Sequence, residues 1–145
     1  MILDKINRAG IEIVGDLSYR NKNCPKEDAE LVTFMNEWRI DPQLSEIIVI
    51  HIPNEKKRRK KEDFAELKKQ RMKGAFLPGA SDVIAVGHPT LIIELKRLDH
   101  TQSYIEDEQI DFLVKAMQSD AWVCIALGYV AALQFAREWY AENYL

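Results

Sequence analysis

Asp82, Glu94 and Lys96 carry the strongest chemical signal in this 145-residue chain. Along the run Leu91 to Lys96 an extended backbone sends side chains to alternate faces. Leu91, Ile93 and Leu95 then share one side, and Ile92, Glu94 and Lys96 share the other. A carboxylate and an ammonium thus project together from an otherwise apolar strand. Asp82 opens a second apolar segment, Asp82 to Val86, and the turn Gly87-His88-Pro89 joins the two as a hairpin, which brings Asp82 alongside the pair. Two carboxylates with a neighbouring ammonium suit a hard divalent cation, Mg²⁺ or Mn²⁺, together with a group that handles a proton or orients a water. Such a site can take up charge developing on a phosphate. A plain salt bridge at a sheet edge would use the same three residues.

The second signal is electrostatic. Ten of the twenty Lys and Arg residues fall between Glu55 and Lys73, against four acids. That segment is +6, and the remaining ten basic and nineteen acidic residues make the rest −9. Its densest part is Lys56, Lys57, Arg58, Arg59, Lys60 and Lys61. A charge run can be only a solvated helix start or loop, but a basic stretch in an acidic chain is also the footprint of a polyanion binder. No aromatic is interleaved with it, so phosphate contact rather than base stacking is the expected mode.

Other chemistries find little support. His51, His88 and His100 have no partners at metal-ligand spacing, and Cys24 and Cys124 lie far apart, as reduced thiols of an intracellular protein would. No Ser-His-Asp order, P-loop or GxGxxG is present. The longest uncharged apolar runs, such as Ala121 to Leu127, are too short to cross a bilayer, and the start has no secretory signal pattern. A cytoplasmic, non-membrane protein is expected, with 47% hydrophobic residues enough for a core.

The elements that must position these residues follow from periodicity. Pro25 opens a helix with Glu27, Asp28 and Glu30 in its first turn and Leu31, Phe34, Met35 and Trp38 on its apolar face. Ile47 to Ile52 is a β-branched strand stopped by Pro53-Asn54. The basic segment runs into a helix through Phe64, Leu67 and Met72 that ends at Gly74. After the hairpin, Ser103 and Glu106 have capping-box spacing, and Gln109, Phe112, Leu113, Ala116 and Met117 line one face of the next helix. Ala121 to Leu127 reads as a buried strand and Val130 to Asn143 as a last helix. Trp38, Trp122 and Trp139 belong to the core. The order α-β-α-β-β-α-β-α predicts an α/β fold, a mixed sheet flanked by helices, in one domain over residues 1–145. Residues 1–24 form an N-terminal extension of open role, with a short strand at Ile11 to Val14.

Pro78-Gly-Ala-Ser-Asp82, Ile92-Ile-Glu94-Leu-Lys96-Arg97 and Glu108-Gln109, in this order, resemble the PD-(D/E)XK nuclease superfamily, and within it the VRR-NUC (virus-type replication-repair nuclease) family. His51-Ile-Pro-Asn54, the basic stretch, the helix ending at Lys73-Gly74, and the leading helix with Trp38 near its end fit the same pattern, from about Pro25 to Gly128. The resemblance implies a restriction-endonuclease-like core in which Asp82 and Glu94 ligate the metal and the Leu95 carbonyl completes the protein's share of the sphere. Lys96 would orient or activate the attacking water, Gln109 would support the site, and Glu27 or Asp28, which spacing does not separate, would join the metal. Asn54 and Lys56 to Lys61 would meet DNA. The chain departs from the family at Ser81, where a proline is usual, at Ala80, where a valine is usual, and at Glu55-Lys56, where glycines often follow the asparagine.

The implied activity is Mg²⁺- or Mn²⁺-dependent hydrolysis of DNA phosphodiester bonds. By the same resemblance the enzyme would be structure-specific in repair or recombination, a homodimer acting on branched DNA such as four-way junctions. A non-catalytic nucleic-acid-binding domain with this fold is the alternative. A sequence-specific restriction enzyme would need more chain for base readout.

Overall fold

The structure is a computed structural model that describes residues 1–53 and 79–145. Its elements are α1 (Leu3–Arg8), β1 (Glu12–Val14), α2 (Glu27–Ile40), β2 (Val49–His51), β3 (Val83–Ala85), β4 (Leu91–Lys96), α3 (Asp107–Gln118), β5 (Trp122–Leu127) and α4 (Tyr129–Tyr144). Five strands form one mixed sheet in the order β1-β5-β4-β3-β2. Strands β1, β5 and β4 run parallel, and β4, β3 and β2 run antiparallel. The expected hairpin, the apolar fifth strand and the helices expected after Pro25, after Ser103 and from about Val130 are therefore present, and the helix expected through Phe64, Leu67 and Met72 lies outside the described residues.

Burial explains why β4 and β5 read as almost continuously apolar. Both faces of the sheet are covered, so both alternating sets of side chains are withdrawn from water. On one face Val83, Ala85, Leu91, Ile93, Leu95, Cys124 and Ala126 pack against Phe34 and Trp38 of α2 and Leu133, Phe135 and Trp139 of α4. On the other, Ile92, Val123 and Ile125 pack with Ile6, Ile11, Ile105, Ile110 and Leu113. Residues 1–24 thus contribute to this second layer and to the sheet, through Ile6, Ile11 and the β1–β5 pairing. Helix α1 carries no apolar period long enough to announce itself in sequence.

Two local devices differ from expectation. The capping box at the start of α3 sits one step later than Ser103/Glu106: Glu106 is the N-cap and Gln109 its reciprocal partner. The Ser103 hydroxyl is turned elsewhere, as described below. Glu30 is in the first helical turn as expected but is also buried, and its Oε2 accepts the Tyr129 amide at 2.8 Å, closing the N-terminus of α4. Glu30, Phe34 and Trp38 recur every fourth residue, which places the carboxylate on the buried face of α2.

Gly79 fits the loop before β3 against α3. Its φ is +78°, and a Cβ there would collide with the Glu108 carbonyl and lie 2.8 Å from the Gln109 amide. Among the described residues no helix is long and apolar enough to cross a membrane.

Candidate active site

The pairing of Val83 with Ile93 in β3 and β4 continues outward to bring Asp82 beside Glu94 on the sheet face that also carries Ile92. The Leu95 amide donates to Asp82 Oδ2 at 2.9 Å, and the Asp82 carbonyl accepts the Ile52 amide at 2.9 Å, so Asp82 is held from both neighbouring strands. Burial pushes the Asp82 carboxyl above the ordinary carboxylate range, and the Leu95 amide and the Lys96 ammonium only partly oppose it.

Glu94 is 1% exposed and Lys96 2%, so the two lie on the floor of the site rather than at an open edge. Glu94 Oε1 accepts from Gln109 Nε2 at 2.5 Å and lies 3.5 Å from Lys96 Nζ. The other end of the Gln109 amide accepts the Glu106 backbone N–H at 2.9 Å. One glutamine therefore completes the cap of α3 and fixes a carboxylate of β4. The Lys96 ammonium donates to the Tyr104 carbonyl at 2.6 Å and lies 3.9 Å from Glu27 Oε1. Two carboxylates and a main-chain oxygen direct one cation in a buried setting.

Above this floor is a cleft of about 540 Å³, lined among others by Glu27, Asp28, His51, Asp82, Glu94, Lys96, Arg97 and Gln109. The structure thus brings together Asp82, Glu94, Lys96 and Gln109 with Glu27 and Asp28 of α2, and Leu95 lines the same cleft. Asn54 and Lys56 to Lys61 lie outside the described residues. His51, which no ligand spacing marks, is also on the wall. Its Nδ1 is 2.8 Å from the Asp82 carbonyl, and because a carbonyl only accepts, that nitrogen carries the proton.

Among the described residues no group of three or more His, Cys, Asp or Glu side chains is arranged to hold a metal ion. The donor set nevertheless fits Mg²⁺ or Mn²⁺: such ions use one or two protein carboxylates and keep several waters. Asp82 and Glu94 are two hard carboxyls lining one cleft, and burial of Asp82 favours a compensating positive charge there.

A search of solved structures finds this architecture in a VRR_NUC domain protein, with a TM-score of 0.62 over 82% of this chain and 91% of that one, at 19% sequence identity. The fold is that of a VRR_NUC domain. The α/β, restriction-endonuclease-like core expected from the sequence motifs is therefore the architecture present, and the chain is a nuclease-fold domain. No protein-family model and no curated protein matches the sequence. Within the VRR_NUC fold the cleft lies where the antiparallel half of the sheet meets the parallel half. There β4 ends, and α2 and α3 begin.

Two participants, Arg97 and Ser103, are given no site role by motif or strand alternation. Arg97 donates from Nε to the Pro25 carbonyl at 3.1 Å and from Nη2 to the Lys22 carbonyl at 3.3 Å and to the Cys24 carbonyl. Ser103 Oγ accepts the Arg97 amide at 2.9 Å and donates to Glu27 Oε1 at 3.1 Å. Both contacts span more than seventy residues of sequence. The adjacency of Arg97 to the Glu94-x-Lys96 motif is the one sequence signal that could have drawn attention to it.

Proposed function

We propose that the chain is a VRR-NUC nuclease that hydrolyses DNA phosphodiester bonds with Mg²⁺ or Mn²⁺. The observation that carries this reading is the convergence of the Asp82 and Glu94 carboxyls with the Lys96 ammonium in one cleft. The sequence resemblance and the VRR_NUC fold support it independently.

In this reading Asp82, Glu94 and the Leu95 carbonyl would hold the cation, with Glu27 or Asp28 from α2 as a further acid. Its contribution when bound is to neutralise charge on the scissile phosphate and acidify a water. The chain's own residues supply the rest. The Leu95 amide and the Gln109 side chain each bond one oxygen of these carboxyls and so fix their orientation. Tyr104, Glu94 and Glu27 hold the Lys96 ammonium in a fixed direction, where it aligns the attacking water with the phosphorus and balances the charge that develops on the phosphoryl oxygens. The water's oxygen forms the new P–O bond, giving up a proton to solvent, as the bond to the sugar oxygen breaks. That oxygen leaves with a proton from solvent.

The finer reading is a structure-specific endonuclease of repair or recombination, a homodimer that sets two such clefts on two strands of a branched DNA, with Asn54 and Lys56 to Lys61 on the phosphates. It rests on the sequence resemblance and on the basic segment. Retention of both carboxyls and the lysine in one cleft favours catalysis over a binding-only domain. The test is incubation with Mg²⁺ or Mn²⁺ and a panel of linear, flapped and four-way DNAs. Metal-dependent cleavage, strongest on a branched member, is expected. Intact DNA throughout, with binding retained, would leave the binding-only domain.

A further inference from the structure

Arg97 is a cation on the wall of a cleft assigned to DNA, so the simple assignment would be a phosphate contact. Its hydrogen bonds say otherwise. The guanidinium is committed to three main-chain carbonyls, those of Lys22, Cys24 and Pro25, in the loop that leads into α2. Glu27 follows as the first residue of that helix. The Arg97 amide meanwhile donates to Ser103 Oγ, and that hydroxyl donates to Glu27 Oε1. Glu27 Oε1 lies 3.9 Å from the Lys96 ammonium, and Lys96 is covalently next to Arg97. The contacts close a ring: β4 holds the loop, the loop sets the start of α2, and α2 returns a carboxylate to β4.

The geometry points to Arg97 as a positioning residue that, with Ser103, docks the start of α2 so that Glu27 sets the direction of the Lys96 ammonium. This inference rests on the nuclease reading for its kinetic consequence but not for its structural one. The planar fork of a guanidinium can reach three carbonyls of one loop at once. A lysine ammonium is a single point on a flexible stem and cannot reproduce that reach. Because the donors are used within the protein, removing them should change the reacting geometry and leave the affinity for phosphates alone.

The experiment compares wild type with Arg97→Met, Arg97→Lys, Ser103→Ala and Ser103→Thr. Three quantities are read: single-turnover cleavage at saturating DNA with Mg²⁺, DNA affinity over a KCl series without Mg²⁺, and the ¹H–¹⁵N signal of the Lys96 ammonium in metal-free protein. Arg97→Met and Arg97→Lys should both slow cleavage by about 10–100-fold, as loss of a supporting partner does, with DNA affinity and salt slope unchanged. Both should shift or broaden the Lys96 signal. Ser103→Ala should do the same in lesser degree, and Ser103→Thr, which keeps the hydroxyl, should restore both rate and signal. A fall in affinity with a salt slope smaller by about one, at an unchanged saturating rate, would instead make Arg97 a phosphate contact and overturn the inference. Should wild type cut no DNA, the nuclease reading fails. The Lys96 signal still decides the present one: a spectrum unmoved by Arg97→Met or by Ser103→Ala sinks it. If Arg97→Met does not fold, the Ser103 pair reads the same ring through the signal and its restoration.

Discussion

Gln109 Nε2 donates to Glu94 Oε1 at 2.5 Å while the carbonyl end of the same amide accepts the backbone N–H of Glu106. The helix cap and the candidate catalytic carboxylate thus share one planar group, and rotation of that group would break both contacts. Gln109→Ala is expected to lower metal-dependent cleavage or metal affinity by roughly 10–100-fold and to cost on the order of 1 kcal/mol through the lost cap. Gln109→Asn, one methylene shorter, should fail to span both partners. Titration of activity against Mg²⁺, beside urea unfolding, separates the two effects.

Glu94 is buried, so truncation to alanine would open a void beside Lys96 and confuse loss of chemistry with loss of packing. Glu94→Gln keeps the volume. Cleavage should fall by more than the roughly 10–100-fold expected of a supporting residue, with DNA affinity kept. Wild-type turnover by matched preparations would refute the assignment of Glu94 as a ligand.

Gly79 faces the backbone of α3 where Glu108 and Gln109 lie. Gly79→Ala places a Cβ into that contact and a non-glycine residue at positive φ, at a cost of about 1–3 kcal/mol or more. Because the same loop leads to Asp82, activity should fall further than stability alone accounts for. A comparison of kcat well below the melting temperature with the shift in Tm checks this.

His100 is buried, and its Nδ1 has no hydrogen-bond partner. Burial first, then Arg20 and the N-terminal ammonium, hold its pKa below the usual 6.5. On acidification the unfolded chain takes up a proton near that usual value, and the folded chain only at lower pH. Its contribution to stability is therefore complete above about pH 6.5 and declines as pH falls from there to the folded value. Urea midpoints for wild type should drop over this interval more steeply than those of His100→Gln.

The basic run gives a prediction about charge alone. Changing Lys56, Lys57, Arg58 and Arg59 to Gln should weaken all DNA sequences by similar factors and reduce the slope of log affinity against log salt by about one per lost phosphate contact. An unchanged slope would mean that the run only solvates the surface.

The central carboxyls and lysine are legible in sequence because strand alternation is a strict period: once Leu91 to Lys96 is a strand, Glu94 and Lys96 must share a face. Gln109 is legible only through the motif, since its spacing equally describes a core-edge residue. The capping box shows the limit of local rules. Ser103/Glu106 and Glu106/Gln109 have the same spacing, and the choice falls to the second because the Ser103 hydroxyl is engaged by Arg97 and Glu27. Contacts of that kind depend on how loops meet, for which a single sequence offers no period. Glu30 lies between these cases. Its recurrence with Phe34 and Trp38 marks the buried face, but the amide that receives it belongs to a helix on the order of a hundred residues away.

Strand β1 pairs along its whole length with β5, Glu12 to Val14 beside Cys124 to Ala126, and β5 in turn holds β4. As a chain leaves the ribosome, the first strand to be made must wait for nearly the last. Until β5 arrives, the β2-β3-β4 meander can form from its own neighbours but has no partner for the outer edge of β4, the strand that carries Glu94 and Lys96. Long-range parallel pairing of this kind slows folding, and an open edge invites other chains. The strand that completes the sheet is thus also its protection during synthesis, and a stalled or shortened chain lacking β5 would present β4 as an adhesive edge.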